Sequence, residues 1–337
     1  MAKRLGLVLP RDMSCALARC ANDHAWGEIV SRPRAADPLQ RRHADRRTYF
    51  EGLPPRIAKS PLKCGTSAML GVCGAGHRNG LVMRCDTEIC PDCGRKDSDA
   101  HRRRLARWRQ KLQQIQEVRY WVITWPDELL GRLRTVQALA KVGKRARRAM
   151  QKLGYLRGLR RWHWFGDKSG RWRPHLNILV DGGFIEPERL EFEKTYLRQE
   201  LELSQNAVIH MHYVKALDAK RAVKILHHAR YVLRPTFEDW HRDPEMAVEL
   251  FDFRNVAWWG KGRWDGPPAW ELPPRYAWLA RLAAIEGGRC PDCGEPLTWT
   301  GPHSLVSLGL SPEAVVERAE RGGFFRLPEL ERAAAAI

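Results

Sequence analysis

Three of this chain's nine cysteines follow the spacing Cys85-x4-Cys90-x2-Cys93, and that pattern restricts the fold more than any other. A Cys90 Pro91 Asp92 Cys93 Gly94 segment is a zinc knuckle: its turn lets both sulfurs face one ion while backbone amides hydrogen-bond the thiolates. A tetrahedral site needs four ligands. Cys64, in Lys63 Cys64 Gly65 Thr66, is the first choice to join Cys85, Cys90 and Cys93, with Cys73 or His77 as substitutes. The same pentapeptide recurs at Cys290 Pro291 Asp292 Cys293 Gly294 and points to a second zinc site, its other ligands coming from His303 or from Cys73 and His77. Cys15 and Cys20 form no such pair and read as ordinary thiols.

Lys and Arg total 58 against 39 Asp and Glu, a net charge of +19, so a polyanion is the default partner. No apolar run approaches the length that crosses a bilayer, and Leu5 to Pro10 is too short for a signal peptide's apolar core. The expected compartment is the cytoplasm and the expected partner nucleic acid rather than a membrane. Thiols stay reduced there, which favours metal ligation over disulfides.

Taken in order, residues 1–61 read as a basic arm with a helix near residues 12–30, and residues 62–98 as the zinc-binding module. Residues 99–118 form a basic helix whose Arg103 and Arg107 would reach phosphates. A strand follows at residues 120–126, then a long basic helix over 127–153. The strand-like Arg160 Arg161 Trp162 His163 Trp164 Phe165 turns through residues 166–170 into a second strand, residues 172–181, as a hairpin. A helix over 187–203, a strand over 207–214 and a helix that Asp218 would cap, running to Leu233, complete the central region. Residues 256–337 are rich in tryptophan interleaved with Lys and Arg, a composition suited to base stacking, and end in a helix expected from residue 311.

Two stretches carry chemistry. Alternation along Trp172 Arg173 Pro174 His175 Leu176 Asn177 puts His175, Asn177 and Leu179 on one face, so that an imidazole and an amide point the same way and both suit a divalent cation. On the helix before Pro235, helical spacing groups Lys224, His227, His228 and Tyr231 on one surface.

The cysteine module, the Val122 Ile123 Thr124 strand, the Pro174 His175 Leu176 Asn177 strand and the Tyr231 Val232 Leu233 Arg234 helix stand in an order that resembles HUH-endonuclease rolling-circle replication initiators of small bacterial plasmids and phages. The resemblance spans about residues 64–235. It implies an α+β fold: an HUH-type antiparallel sheet with flanking helices over residues 99–255, preceded by the zinc module and followed by the tryptophan-rich, CxxC-containing region. It also implies single-strand DNA nicking and rejoining through a 5′-phosphotyrosyl intermediate on Tyr231, with Lys224 or a neighbouring imidazole favouring the phenolate. Mg2+ or Mn2+ would be held by His175 and Asn177, and His227 would serve as a third ligand or as a base. Single-stranded or origin hairpin DNA would meet Arg103, Arg107, Arg161, Trp164, Arg173 and Arg234, with a host helicase and polymerase as partners.

This chain departs from the family at Asn177, where a second His is usual, and at His227, where a Glu is common. His210 Met211 His212 is a rival metal pair. A rolling-circle transposase of the same chemistry, or a non-catalytic zinc-dependent nucleic-acid binder, are the alternatives.

Overall fold

The structure, a computed structural model, describes residues 46–165, 170–215, 219–237, 239–310 and 321–327. Residues 1–49 and 50–337 form two units. Of the first, only a helical turn, Arg46–Tyr49, is described, and the helix expected near residues 12–30 lies outside the described residues, as do Asp218 and most of the 166–170 turn.

The second unit is α+β with two antiparallel sheets. In chain order it contains α1 (Pro55–Leu62), β1 (Ser67–Val72), β2 (Arg78–Val82), α2 (Asp99–Leu112), β3 (Glu117–Thr124), α3 (Val136–Lys152), β4 (Gly158–Phe165), β5 (Trp172–Asp181), α4 (Pro187–Leu201), β6 (Val208–Lys215), α5 (Ala219–Leu233), α6 (Pro244–Glu249), β7 (Val256–Trp259), α7 (Ala277–Glu286), β8 (Thr298–Ser304) and β9 (Phe324–Arg326). The helix expected over 127–153 is divided: a 3-10 segment, Asp127–Leu133, precedes α3, whose start is capped by Thr135 Oγ1 accepting from the Ala138 amide. No helix among the described residues is long and apolar enough to cross a membrane.

The larger sheet runs β6-β3-β5-β4-β7, with β5 in the centre. Its strands are rich in β-branched and aromatic residues, and their alternation sorts side chains onto two faces. One face presents Val118, Tyr120, Leu159 and Leu179 to a core shared with Leu105 and Leu112 of α2, Ile225, Leu226, Ala229 and Val232 of α5, and Leu279 and Leu282 of α7. The other buries Trp121, Ile123, Trp162, Leu176 and Ile178, with α3 close enough that a Cβ on Gly143 would meet the Arg160 guanidinium at 2.5 Å.

The smaller sheet, β8-β1-β2-β9, draws its strands from both ends of the unit. The zinc module read at residues 62–98 is therefore completed by residues 298–304 and 324–326. Residues 324–326, expected within a terminal helix, form β9 instead, because Phe324 and Phe325 pair with β2 and are buried; Gly80 leaves room for the Phe325 ring where a Cβ would clash. Likewise β7, beyond the 255 boundary drawn from the sequence, is a strand of the larger sheet.

Three tryptophans of the C-terminal region are core rather than stacking platforms, while Trp258, Trp278 and Trp299 are half-buried against it. Trp259, Trp264 and Trp270 are buried and donate through Nε1 to the Tyr155, Trp259 and Ile115 carbonyls.

Gly158 sits between β5 and β7, where an added Cβ would lie 2.6 Å from the Leu179 carbonyl oxygen and 2.5 Å from the Trp259 ring. Gly158→Ala should lower stability by about 1–3 kcal/mol, read as a shift in urea midpoint.

Candidate active site and metal centres

The Cys64, Cys85, Cys90 and Cys93 ligand atoms lie within 4.8 Å of one another, with Cys64 and Cys93 sulfurs 3.4 Å apart. The knuckle closes through the Gly94 amide donating to Cys90 O at 2.7 Å, and a Cβ on Gly94 would strike the Glu88 carbonyl at 2.0 Å, so only glycine fits there. Four thiols in mutual contact suit a soft tetrahedral ion: hydrogen bonds from Cys85, Cys90 and Cys93 push the Cys64 thiol far down, while those with Cys64, Cys85 and Cys90 push Cys93 up.

Cys73, His77, Cys290 and Cys293 form a second such group. His77 Nδ1 lies 3.5 Å from the Cys73 sulfur and 3.6 Å from that of Cys290. Of the two sources read for the second knuckle's missing ligands, the structure brings up Cys73 and His77; His303 instead contacts Thr300. Both clusters fit a metal such as zinc.

The face of the larger sheet turned towards α5 carries a set of imidazoles. Strand register aligns Val208, Thr124, His175 and His163 in one row, His210, Val122, Asn177 and Arg161 in the next, and His212, Tyr120, Leu179 and Leu159 in a third. His163 and His175 are thus direct cross-strand partners, with ring centroids 5.1 Å apart and planes at 83°. Above them α5 places Tyr231, its ring 5.5 Å from that of His163 and 6.1 Å from that of Tyr120. Arg234 stacks its guanidinium 4.0 Å over the Tyr231 ring and donates to the phenol oxygen at 2.9 Å.

α5 is held over the sheet by its last carbonyls, which no helical amide satisfies. His101 Nε2 donates to Arg230 O at 2.9 Å, His163 Nε2 to Val232 O at 3.0 Å and Arg104 Nη1 to Leu233 O at 3.3 Å. His101 and Arg104 belong to α2, whose cap residue Ser98 also donates to Cys93 O, and Arg230 pairs with Asp97. The first cysteine cluster and the Tyr231 helix are therefore one hydrogen-bonded assembly.

Several residues expected at the site are placed differently. Asn177 is fully buried and its oxygen accepts from the Tyr120 hydroxyl at 2.5 Å, so it serves as a partner of Tyr120. His228, not His227, turns inward: its ring meets Tyr120 and His212, whereas His227 and Lys224 are exposed. Among the described residues no three His, Cys, Asp or Glu groups gather around His175 or His227. The rival pair stays together on the outermost strand, in adjacent rows of one face, with His212 stacking on Tyr120.

Of the expected DNA contacts, Arg103 is buried and donates to the Val82 and Gly322 carbonyls, Arg161 is buried against Glu88, and Trp164 is buried between Trp162 and Trp172; none faces solvent. Arg107 is partly exposed but paired with Asp86 and Glu286, while Arg173 is exposed beside Asp127. His163 and Tyr120 were the site residues that sequence reasoning passed over. The signal for His163 was its place on the strand that pairs with His175.

Burial pushes His163 well below the usual imidazole range, aided by His175 and Arg234. Its Nδ1 is buried with no hydrogen-bond partner, an arrangement that costs about 1–3 kcal/mol unless something binds there. Burial also lowers His228 to about 4 and His101 to about 3.

The chain matches no family model, no curated protein and no solved structure.

Two outcomes follow from these centres. Metal analysis of the purified protein should find two zinc ions per chain, with Cys93→Ser and Cys293→Ser each losing one and lowering the melting temperature. Acid should destabilise the fold through His101: the unfolded chain takes up the proton near pH 6.5 and the folded one only near 3, so stability is full above about pH 6.5 and falls as pH drops through that window. At pH 5 the loss should be about 2 kcal/mol, and His101→Gln should flatten the dependence of urea midpoint on pH.

Proposed function

We propose that this protein is an HUH-type single-strand DNA nickase and ligase that initiates rolling-circle replication. The observation that carries the reading is Tyr231, held by α5 directly above the imidazoles of two adjacent strands at the centre of an antiparallel sheet. Its support is the juxtaposition of a nucleophile, a cation and metal-competent imidazoles on one face.

In this reading the Tyr231 phenolate attacks the scissile phosphorus. The P–O3′ bond breaks, the 3′ oxygen takes up a proton, and the 5′ phosphate remains esterified to Tyr231. Arg234, donating to the phenol oxygen, stabilises the phenolate in the ground state and the charge on the phosphoryl oxygens as the bond forms. A divalent ion, magnesium or manganese, would be held at His175 and would supply charge stabilisation to the phosphate. Reversal, with a 3′ hydroxyl attacking the phosphotyrosine, rejoins DNA without ATP.

The DNA surface is narrower than the basic composition suggests. Arg173 at the start of β5 and Arg234 beside Tyr231 are the contacts retained from the expected set, with exposed Lys261 and Arg263 as further candidates. The natural substrate class is single-stranded or hairpin origin DNA, with helicase and polymerase acting on the released 3′ end.

Incubation with single-stranded DNA and Mn2+ should yield a covalent adduct that survives denaturation and maps to Tyr231. Tyr231→Phe should abolish it while leaving DNA affinity within about twofold. An adduct on another tyrosine removes the nucleophile assignment; no adduct on any single-stranded substrate, with DNA binding intact, favours the non-catalytic binder. Arg173→Ala should weaken DNA binding and reduce its salt slope by about 1, whereas Arg161→Ala should act first on stability.

A further inference from the structure

We propose that Arg160 of β4 and Arg147 of α3 form a binding site for a phosphate group on the face of the larger sheet opposite Tyr231. The site goes beyond the nickase reading and does not rest on it.

Arg160 points to the α3 side of the sheet. On β4, Arg161 and His163 share the face of Tyr231, so alternation turns Arg160 and Trp162 the other way. α3 passes close above Arg160 at Gly143, and Arg147 follows Gly143 by one helical turn on the same side of α3. Arg160 is 7% exposed, and burial, reinforced by the charge of Arg147, pushes it down to about 10.

Other buried arginines of this unit lie beside carboxylates: Arg161 beside Glu88, Arg104 beside Asp86 and Arg103 beside Glu286. Among the described residues neither Arg160 nor Arg147 has such a partner, and the bond that Arg160 Nη1 donates to Asn255 O is long, 3.5 Å. Two like charges brought together where water is scarce are costly without a counterion. A bound anion supplies the missing charge.

Hydrogen bonding is the independent observation. Arg160 Nε and Arg147 Nε are buried with no acceptor, and so are Trp121 Nε1 and Trp162 Nε1 on the same side of the sheet. All of these groups are donors. What this side lacks is acceptors, and an oxyanion brings them.

Guanidinium forks match phosphate oxygens, and a phosphate carries the charge that two arginines call for. A guanidinium as enclosed as Arg160 is reached more readily by a terminal phosphate, free or at the 5′ end of a strand, than by a phosphodiester hemmed between sugars. Lys144 and Arg148 are exposed on the adjoining turns, and α3 has no acidic residue from Val136 to Lys152, so an approaching anion meets only positive charge along the helix. Arg145 differs from these, because Glu202 already engages it.

The test is calorimetric titration of the zinc-loaded full chain with inorganic phosphate, in chloride at constant ionic strength. The parent should bind one phosphate. Arg147→Gln and Arg160→Met should each bind at least about tenfold more weakly with zinc content unchanged, while Arg145→Gln and Arg173→Ala bind as the parent does. Methionine fills much of the space of Arg160 without its charge, which keeps the packing between α3 and β4.

A single strand carrying a 5′ phosphate, compared with the same strand ending in a 5′ hydroxyl, identifies the source. A preference for the phosphorylated strand that Arg147→Gln removes assigns the site to strand ends; phosphate binding without that preference assigns it to the free ion. No phosphate binding by the parent overturns the proposal, as does binding undiminished in Arg147→Gln. If Arg160→Met fails to melt cooperatively, the half-buried Arg147 decides alone: weakened binding in Arg147→Gln, set against full binding in Arg145→Gln, sustains the site, and equal binding in the two removes it.

Discussion

The last carbonyls of α5 are the point on which this architecture turns. A helix that ends inside a protein leaves acceptors that must be satisfied, and here three donors come from two elements: His101 and Arg104 from α2, and His163 from the central sheet. Each donor side chain is buried, so its bond is costly to break. Together they lock the rotation of α5 about its axis, which decides whether Tyr231 faces the sheet or solvent. The site's geometry thus depends on a helix end rather than on the packing of its middle.

The same bonds tie the first cysteine cluster to the face beneath Tyr231. Ser98 joins the knuckle to α2, and α2 grips α5. A structural ion at the four thiols would therefore act on the chemistry through position, by fixing the first turn of α2.

Much of the secondary structure was legible, because strands such as Glu117–Thr124 and Trp172–Asp181 combine β-branched and aromatic residues with clear boundaries. The cysteine spacing disclosed the first cluster, and the repeated pentapeptide disclosed half of the second. What the sequence concealed was register and burial. A bulge between His163 and Phe165 shifts the β4–β5 pairing, so symmetry about the turn does not reveal that His163 faces His175. Arginine was similarly opaque. Arg103, Arg160 and Arg161 are buried, their charge offset or their fork used on carbonyls, so a net charge of +19 overstates the surface available to DNA. Among the tryptophans, Trp259, Trp264 and Trp270 are core because their indole nitrogens find backbone carbonyls inside.

The smaller sheet joins β1 and β2 to β8 and β9, and its cysteine cluster joins Cys73 to Cys293, 220 residues further on. During synthesis these partners cannot meet until residues 290–326 have left the ribosome. The larger sheet, whose hairpin and central strands are closer in sequence, has every partner earlier, so folding should proceed from the middle outwards. The second cluster is then a clasp fastened after the larger sheet, and a metal ion held there would tie two segments 220 residues apart into one layer.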